Sequence, residues 1–292
     1  MRHIVSLSGG KDSSALAIYL NNRVYWANIL GKNISPINQI SETINYEYVF
    51  CDTDKELPET YDFLDKLENV LKKKIIRLNA GKGFDNFLEH FNGFLPSAKH
   101  RWCTLYLKIK PFENFIGKDN VYSYIGIRSD EDREGYKVSS KNNIIPVYPF
   151  KEDKINHEDV LRILNDSGLG YPEYYKWRTR SGCYFCFFQK KIEWVGLLEN
   201  HPELFEKAKE YEKHDDKNNK HFTWSYKESL DDLSKPERIY QIKKRADRKK
   251  ELENNKIMNK INEQRSLFEY LPDDVDELSD DDINEKPCMI CE

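Results

Sequence analysis

The residues from His3 to Leu20 constrain the fold more than any other part of the chain. His3-Ile4-Val5-Ser6-Leu7 is an apolar run with a β-branched pair, the pattern of a buried strand. Ser8-Gly9-Gly10-Lys11-Asp12-Ser13-Ser14 interrupts it, and Ala15, Leu16, Ile18, Tyr19 and Leu20 then form a helical stripe. Small residues between a strand and a helix bring backbone amides together at the helix N-terminus. Unpaired N–H groups and the macrodipole there favour an anion, and a phosphate has the right size and charge.

The same alternation continues to about residue 150. Strands are predicted at Ile4–Leu7, Tyr46–Cys51, Ile75–Leu78, Val121–Ile127 and Ile144–Tyr148, and helices at Ser14–Leu20, Pro58–Leu71 and Phe84–His90. Strand-helix alternation of this kind predicts an α/β fold with a parallel sheet and crossover helices. Polar clusters follow three of the strands: Ser8-Gly9-Gly10, Asp52-Thr53-Asp54 and Arg128-Ser129-Asp130-Glu131. The carboxyl ends of the strands are where open α/β sheets bind ligands.

From about residue 155 the pattern is mainly helical, with helices predicted at Glu158–Leu164, Lys190–Glu199, Pro202–His214 and Pro236–Gln264. Lys235 to Arg265 holds eleven Lys/Arg against five Asp/Glu, and residues 269 to 286 hold nine Asp/Glu and one Lys. Those two runs read either as a solvated helix followed by an acidic linker or, for the helix, as a contact with a nucleic-acid backbone. The division expected is 1–190 for the nucleotide-binding domain, 191–266 for a helical region and 267–292 for an acidic linker with a cysteine-containing tail. A net charge of −4 does not decide for or against nucleic acid, because a local basic face can sit within a neutral total. No apolar run approaches the length of a membrane span and the first residues lack the layout of a secretion signal, so a cytoplasmic protein with no membrane partner is expected. Its six cysteines then read as metal ligands, redox groups or buried thiols.

The glycine turn is not the common P-loop, which needs four residues between its first glycine and its Gly-Lys pair. Its glycines admit close approach of a ligand to the main chain, its hydroxyls and Lys11 can neutralise phosphate oxygens, and Asp12 can help to hold a divalent cation. It resembles the SGGxDS loop of the PP-loop ATP pyrophosphatases, an adenine nucleotide alpha hydrolase-like α/β fold. Further blocks are similar to the phosphoadenylyl-sulfate (PAPS) reductase branch of that superfamily: "CDTDKELPETYDFLDKL" at 51–67, "RWCTLYLKIKPF" at 101–112, "GIRSDEDRE" at 126–134 and "SGCYFCFF" at 181–188. The resemblance implies that ATP and Mg²⁺ bind on Ser8, Gly9, Gly10, Lys11, Asp12, Ser13 and Ser14, with Asp52, Thr53 and Arg128 nearby. Arg128 can equally form a salt bridge with Glu131 that buttresses the pocket.

The chain departs from the reductases in keeping Lys11 and Asp12 and in ending "KPCMICE" where they carry a Glu-Cys-Gly-Leu-His type tail. A lysine in the cradle suits a pyrophosphate leaving group. The resemblance therefore implies an ATP-dependent sulfurtransferase like the DNA phosphorothioation or tRNA thiolation enzymes, which adenylates a substrate before sulfur insertion, with nucleic acid as one acceptor and a cysteine desulfurase as one sulfur donor. The alternatives are a sulfonucleotide reductase and an ATP-binding subunit of a defence complex without sulfur chemistry.

Cys183 and Cys186 have metal-ligand spacing, and Cys288 and Cys291 repeat it, so the two pairs could complete a tetrahedral zinc site. The resemblance adds Cys103 and implies a [4Fe–4S] cluster on Cys103, Cys183 and Cys186. Its fourth position would be filled by a tail cysteine such as Cys291 or left open for sulfide, since Trp102 stands where a second adjacent cysteine is common. With an open site, Cys288 or Cys291 becomes a candidate nucleophile carrying persulfide sulfur. A site without metal is the remaining alternative, and Cys51 reads as a small core residue.

Overall fold

The structure, a computed structural model, describes residues 1–34, 44–133, 143–215, 220–225 and 228–263. It divides into two compact units, one running from Met1 to Cys186 and the other starting at Phe187.

The first unit is built on a five-stranded sheet of β1 (Arg2–Leu7), β2 (Tyr46–Asp52), β3 (Ile75–Asn79), β4 (Val121–Tyr124) and β5 (Ile144–Val147). All four pairings are parallel and the order is β3-β2-β1-β4-β5. Side chains alternate across β1. Val5 and Leu7 join a core with Ala15, Leu16, Tyr19, Phe63 and Leu67, whereas Ile4 packs on the opposite face with Val49, Ile116, Val121 and Ile144. Burial on both faces is why the central strands read as apolar runs.

Helix α1 (Lys11–Asn21) follows β1 directly and buries every residue from Asp12 to Leu20. The helix His157–Asp166 packs against it. Asn156 starts that helix with a reciprocal capping box, its side chain accepting from the Asp159 amide at 3.0 Å while the Asp159 carboxylate accepts from the Asn156 amide at 2.9 Å. Two buried groups hold the far end of α1: the Asp153 carboxylate accepts from both Tyr19 Oη and Arg23 Nε at 2.7 Å. On the other face, the run from Trp102 to Ile116 contains a π-helical segment at Leu105–Ile109, which buries Leu107 and Lys108.

Several boundaries differ from the sequence reading. Helix α1 begins at Lys11 and not Ser14, because Asp12, Ser13 and Ser14 are polar but buried and the apolar stripe hides the first turn. β4 stops at Tyr124, and the chain then leaves the sheet to form the loop after it. The helix expected over Pro202–His214 ends at Glu210 and gives way to Lys213–Asp215, antiparallel to Lys220–Phe222.

The second unit is mainly helical, with Lys191–Asn200, Pro202–Glu210, Leu230–Leu233 and Pro236–Glu263. Its two tryptophans are core residues: the Trp194 and Trp224 rings lie 6.2 Å apart and Trp224 Nε1 donates to the Ala208 carbonyl. The helix Pro236–Glu263 exposes Lys244, Arg248 and Lys250. No helix among the described residues is long and apolar enough to cross a membrane. The expected acidic linker and the tail cysteines Cys288 and Cys291 lie outside the described residues.

Candidate active site

The strand order reverses between β1 and β4, since β2 and β3 lie to one side of β1 and β4 and β5 to the other. Crossover connections leave in opposite directions at such a point and open a crevice beyond the strand ends. Here the crevice is a cleft of about 290 Å³. Ser8, Gly10, Lys11 and Asp12 line it from the end of β1, Arg128 and Glu131 to Arg133 from the loop after β4, and Tyr175 with Thr179 to Ser181 from a later strap.

The glycine turn keeps its shape through its own hydroxyls. Ser13 Oγ accepts from the Ser8 amide at 3.1 Å and lies 3.0 Å from Ser8 Oγ, which accepts from the Gly10 amide at 3.3 Å. Gly9 adopts φ +72, and a Cβ there would fall 2.5 Å from Thr60 Cγ2. Gly126 is constrained differently: an added Cβ would lie 2.9 Å from the Asp12 carbonyl oxygen, so only glycine lets the loop after β4 rest on the first turn of α1. That contact brings Arg128 into the cleft.

Charge in the cleft is balanced within a small space. Arg128 Nη1 contacts Asp12 Oδ1 at 2.7 Å and Glu131 Oε1 at 2.8 Å, its Nε meets Asp130 at 3.0 Å, and Lys11 Nζ is 3.5 Å from the second Asp12 oxygen. Arg133 Nε donates to Glu131 at 2.6 Å. Burial pushes the Glu131 carboxyl up from its ordinary value, against the opposite pull of Arg133 and Arg128. The Arg128–Glu131 bridge considered from sequence therefore forms, and the same guanidinium faces the cleft. The Asp12 carboxylate thus lies between two cations.

Asp52 and Thr53 do not line the cleft. Asp52 Oδ1 accepts from the Asp54 amide at 2.9 Å and from Tyr61 Oη at 2.8 Å, which shapes the turn after β2. Thr53 is buried, donating to Glu56 Oε1 at 3.0 Å with Cys183 Sγ at 3.2 Å. The second Glu56 oxygen is buried without a partner, and desolvation raises this carboxyl from its ordinary value. Ser14 Oγ is likewise buried and unpartnered in the first turn of α1.

No disulfide joins the described cysteines, Cys51, Cys103, Cys183 and Cys186. Cys183 and Cys186 share a turn in which the Cys186 amide donates to the Cys183 carbonyl at 3.0 Å, and the Tyr184 amide ties it to the Lys55 carbonyl at 2.8 Å. Burial pushes the Cys183 thiol well up. Cys51 donates to the Lys108 carbonyl at 3.5 Å, and burial raises its thiol to about 11, in keeping with a core role. Among the described residues no three His, Cys, Asp or Glu side chains gather as a metal-holding group. They supply a thiol pair, to which the expected Cys103 is not gathered, and not a full ligand set for a [4Fe–4S] cluster or zinc.

Sequence reasoning missed Glu56, Tyr175, Thr179 and Ser181. Thr53-x-x-Glu56 has the spacing of a local hydroxyl–carboxylate pair, a signal that was present. Tyr174 Oη donates to the Gly9 carbonyl at 2.8 Å, the Lys11 amide donates to Tyr175 Oη at 3.2 Å, and Ser181 Oγ donates to Ser8 Oγ at 3.3 Å. Arg178 is buried as an internal brace on the carbonyls of Gly182 and Cys183, and so does not serve the cleft as Arg180 does.

The family model of the phosphoadenosine phosphosulfate reductase domain matches residues 2–188. The chain belongs to this family. The match spans the whole sheet, the cleft and the Cys183–Cys186 turn of this phosphoadenosine phosphosulfate reductase domain. An uncharacterized protein of Methanocaldococcus jannaschii is 27% identical over 213 residues, covering 69% of this chain and 45% of that protein. The adenosine 5'-phosphosulfate reductase of Salinibacter ruber is 25% identical over 144 residues, covering 47% of this chain and 56% of the reductase. The chain thus spans about half the length of the curated relatives it matches. Similar solved structures include the phosphate complex of PAPS reductase from Candida auris, with a TM-score of 0.46 and 14% identity over 63% of this chain and 81% of that one. Another is the U34-tRNA thiolase of Methanococcus maripaludis with its [4Fe–4S] cluster, with a TM-score of 0.39 and 15% identity over 72% of this chain and 70% of that one.

Proposed function

We propose that this member of the family is an ATP pyrophosphatase-type sulfurtransferase that adenylates its substrate. The observation that carries the reading is Lys11, which opens α1 in the switch-point cleft and faces it together with Arg128. In the reaction proposed, a substrate oxygen attacks the α-phosphorus of ATP and forms a new P–O bond. The bond from that phosphorus to the bridging oxygen breaks, and pyrophosphate leaves with the electron pair. Lys11, Arg128 and the amides at the start of α1 offset the charge that develops on the leaving group. A sulfide nucleophile then displaces AMP from the adenylated position, and sulfur replaces the original oxygen. The chain needs no strong base for this, since positioning and charge neutralisation supply the rate. Bound Mg²⁺ would add charge neutralisation on the phosphates.

The test is release of labelled pyrophosphate from ATP in the presence of acceptor. Lys11→Ala is expected to slow it roughly 10²- to 10³-fold, the range for loss of one preorganised donor. Full activity in that variant overturns the reading.

A second reading, a sulfonucleotide reductase, is favoured by the family's description and by the Salinibacter ruber relative. Sulfite release from a phosphosulfate nucleotide without pyrophosphate release from ATP would establish it. Nucleotide binding with neither release would point to a subunit without sulfur chemistry. The proposal extends to a nucleic-acid acceptor, supported by exposed Lys244, Arg248 and Lys250, and to a cysteine desulfurase as donor. Oligonucleotide affinity that falls steeply with salt and is lost on neutralising those cations supports the first.

A further inference from the structure

Three hydroxyls occupy amides of the glycine turn, and they differ in origin. Ser8 Oγ on the Gly10 amide and Ser13 Oγ on the Ser8 amide are local bonds, spanning two and five residues, and belong to the turn itself. Tyr175 Oη on the Lys11 amide comes from 164 residues away, at 3.2 Å. The same ring borders the cleft, with Lys11 Nζ lying 5.0 Å from its centroid. One phenol thus engages both the backbone and the side chain of the residue expected to hold a departing phosphate.

The start of α1 has no side-chain cap of its own, for its N-cap is Gly10. The Lys11 amide is therefore one of the orphan donors of a helix N-terminus, and in its part-buried position it takes a partner. A phosphate oxygen is the stronger partner, because a charge-assisted bond is about twice as strong as a neutral one. Neutral tyrosine can hold the position without a ligand and yield it to one.

We propose that Tyr175 is a displaceable stand-in for phosphate: its hydroxyl occupies the Lys11 amide in the free protein and gives way to a pyrophosphate oxygen of the bound nucleotide. This rests on the nucleotide reading above and deepens it, making Tyr175 a positioning residue that sets affinity for the leaving group. The ring stays over Lys11 while the hydroxyl moves off the amide. Adjacent Tyr174 behaves differently, since it donates to the Gly9 carbonyl, which no anion seeks.

Titration calorimetry of the full chain with inorganic pyrophosphate tests the displacement. Tyr175→Phe keeps the ring and removes the competing oxygen, so pyrophosphate should bind about three- to tenfold tighter than to wild type, the effect of one neutral hydrogen bond. Unchanged or weaker binding overturns the proposal, as does an equal gain from Tyr174→Phe, which would signal general loosening. In wild-type crystals soaked with pyrophosphate, a phosphate oxygen should replace Tyr175 Oη on the Lys11 amide, and a hydroxyl still seated there overturns it whatever the variants do. If wild-type protein binds neither pyrophosphate nor ATP, the nucleotide reading falls together with the displacement. If it binds both and Tyr175→Phe gains nothing, the displacement alone falls.

Discussion

Gly126 illustrates how one missing side chain can position a site it never enters. It lies under the backbone of Asp12, and a methyl group placed there would meet the carbonyl carbon at 3.1 Å and the Ser13 amide nitrogen at 3.2 Å as well as the oxygen. All three neighbours are main chain in a buried first turn, so none can rotate away. Gly126→Ala is expected to lower stability by about 1–3 kcal/mol, the range for overpacking. It should also weaken pyrophosphate binding, since α1 and the Arg128 loop must separate. Urea denaturation and calorimetry on the same variant check both effects, and a loss of stability with unchanged binding would show that this contact does not shape the cleft.

At the scale of elements, ion pairs fasten the amino-terminal ends of the central strands, opposite the cleft. Arg2 on β1 meets Glu47 on β2 at 2.7 Å and Asp119, just before β4, at 3.1 Å. The bond to Arg2 holds the Glu47 carboxyl below its ordinary value near 4.5. Between the folded and unfolded pKa values the unfolded chain binds the extra proton, so this stabilisation is complete above pH 4.5 and fades as pH falls through the lower folded value. Both side chains are about a quarter exposed, which limits the contribution to under about 1 kcal/mol. Glu47→Gln should remove that part of the acid sensitivity, so the wild-type advantage measured in urea at pH 6 should shrink toward pH 3. An advantage that grows on acidification would contradict the assignment.

For the whole molecule, the cleft joins segments from across the first unit, with the end of β1, the loop after β4 and the strap at Tyr175–Ser181 all contributing. A ligand that binds this assembled state and not the unfolded chain must raise its stability. Pyrophosphate at a hundred times its dissociation constant should add about 2.7 kcal/mol. Thermal denaturation with and without pyrophosphate reads this as an upward shift in Tm, and Lys11→Ala should abolish most of it. A shift that survives Lys11→Ala would place the anion elsewhere.

The sequence by itself determined the sheet and the glycine turn. The central strands were legible because their residues are buried on both faces of the sheet, the edge strands β3 and β5 from short apolar runs although they expose Arg77 and Ile145, and the turn from its small polar residues between a strand and a helix. Several elements escaped, the helix Arg23–Leu30 among them, and two did so for a local reason. The π-helical segment at Leu105–Ile109 breaks the 3.6-residue period, and Lys213–Asp215 is too short and polar to carry an alternating pattern. Tertiary structure alone decided which polar residues face the cleft. Thr53 turns inward to Glu56 and Cys183 while Tyr175 reaches the Lys11 amide, because hydrogen bonds between residues far apart in the chain leave no periodic trace in the sequence.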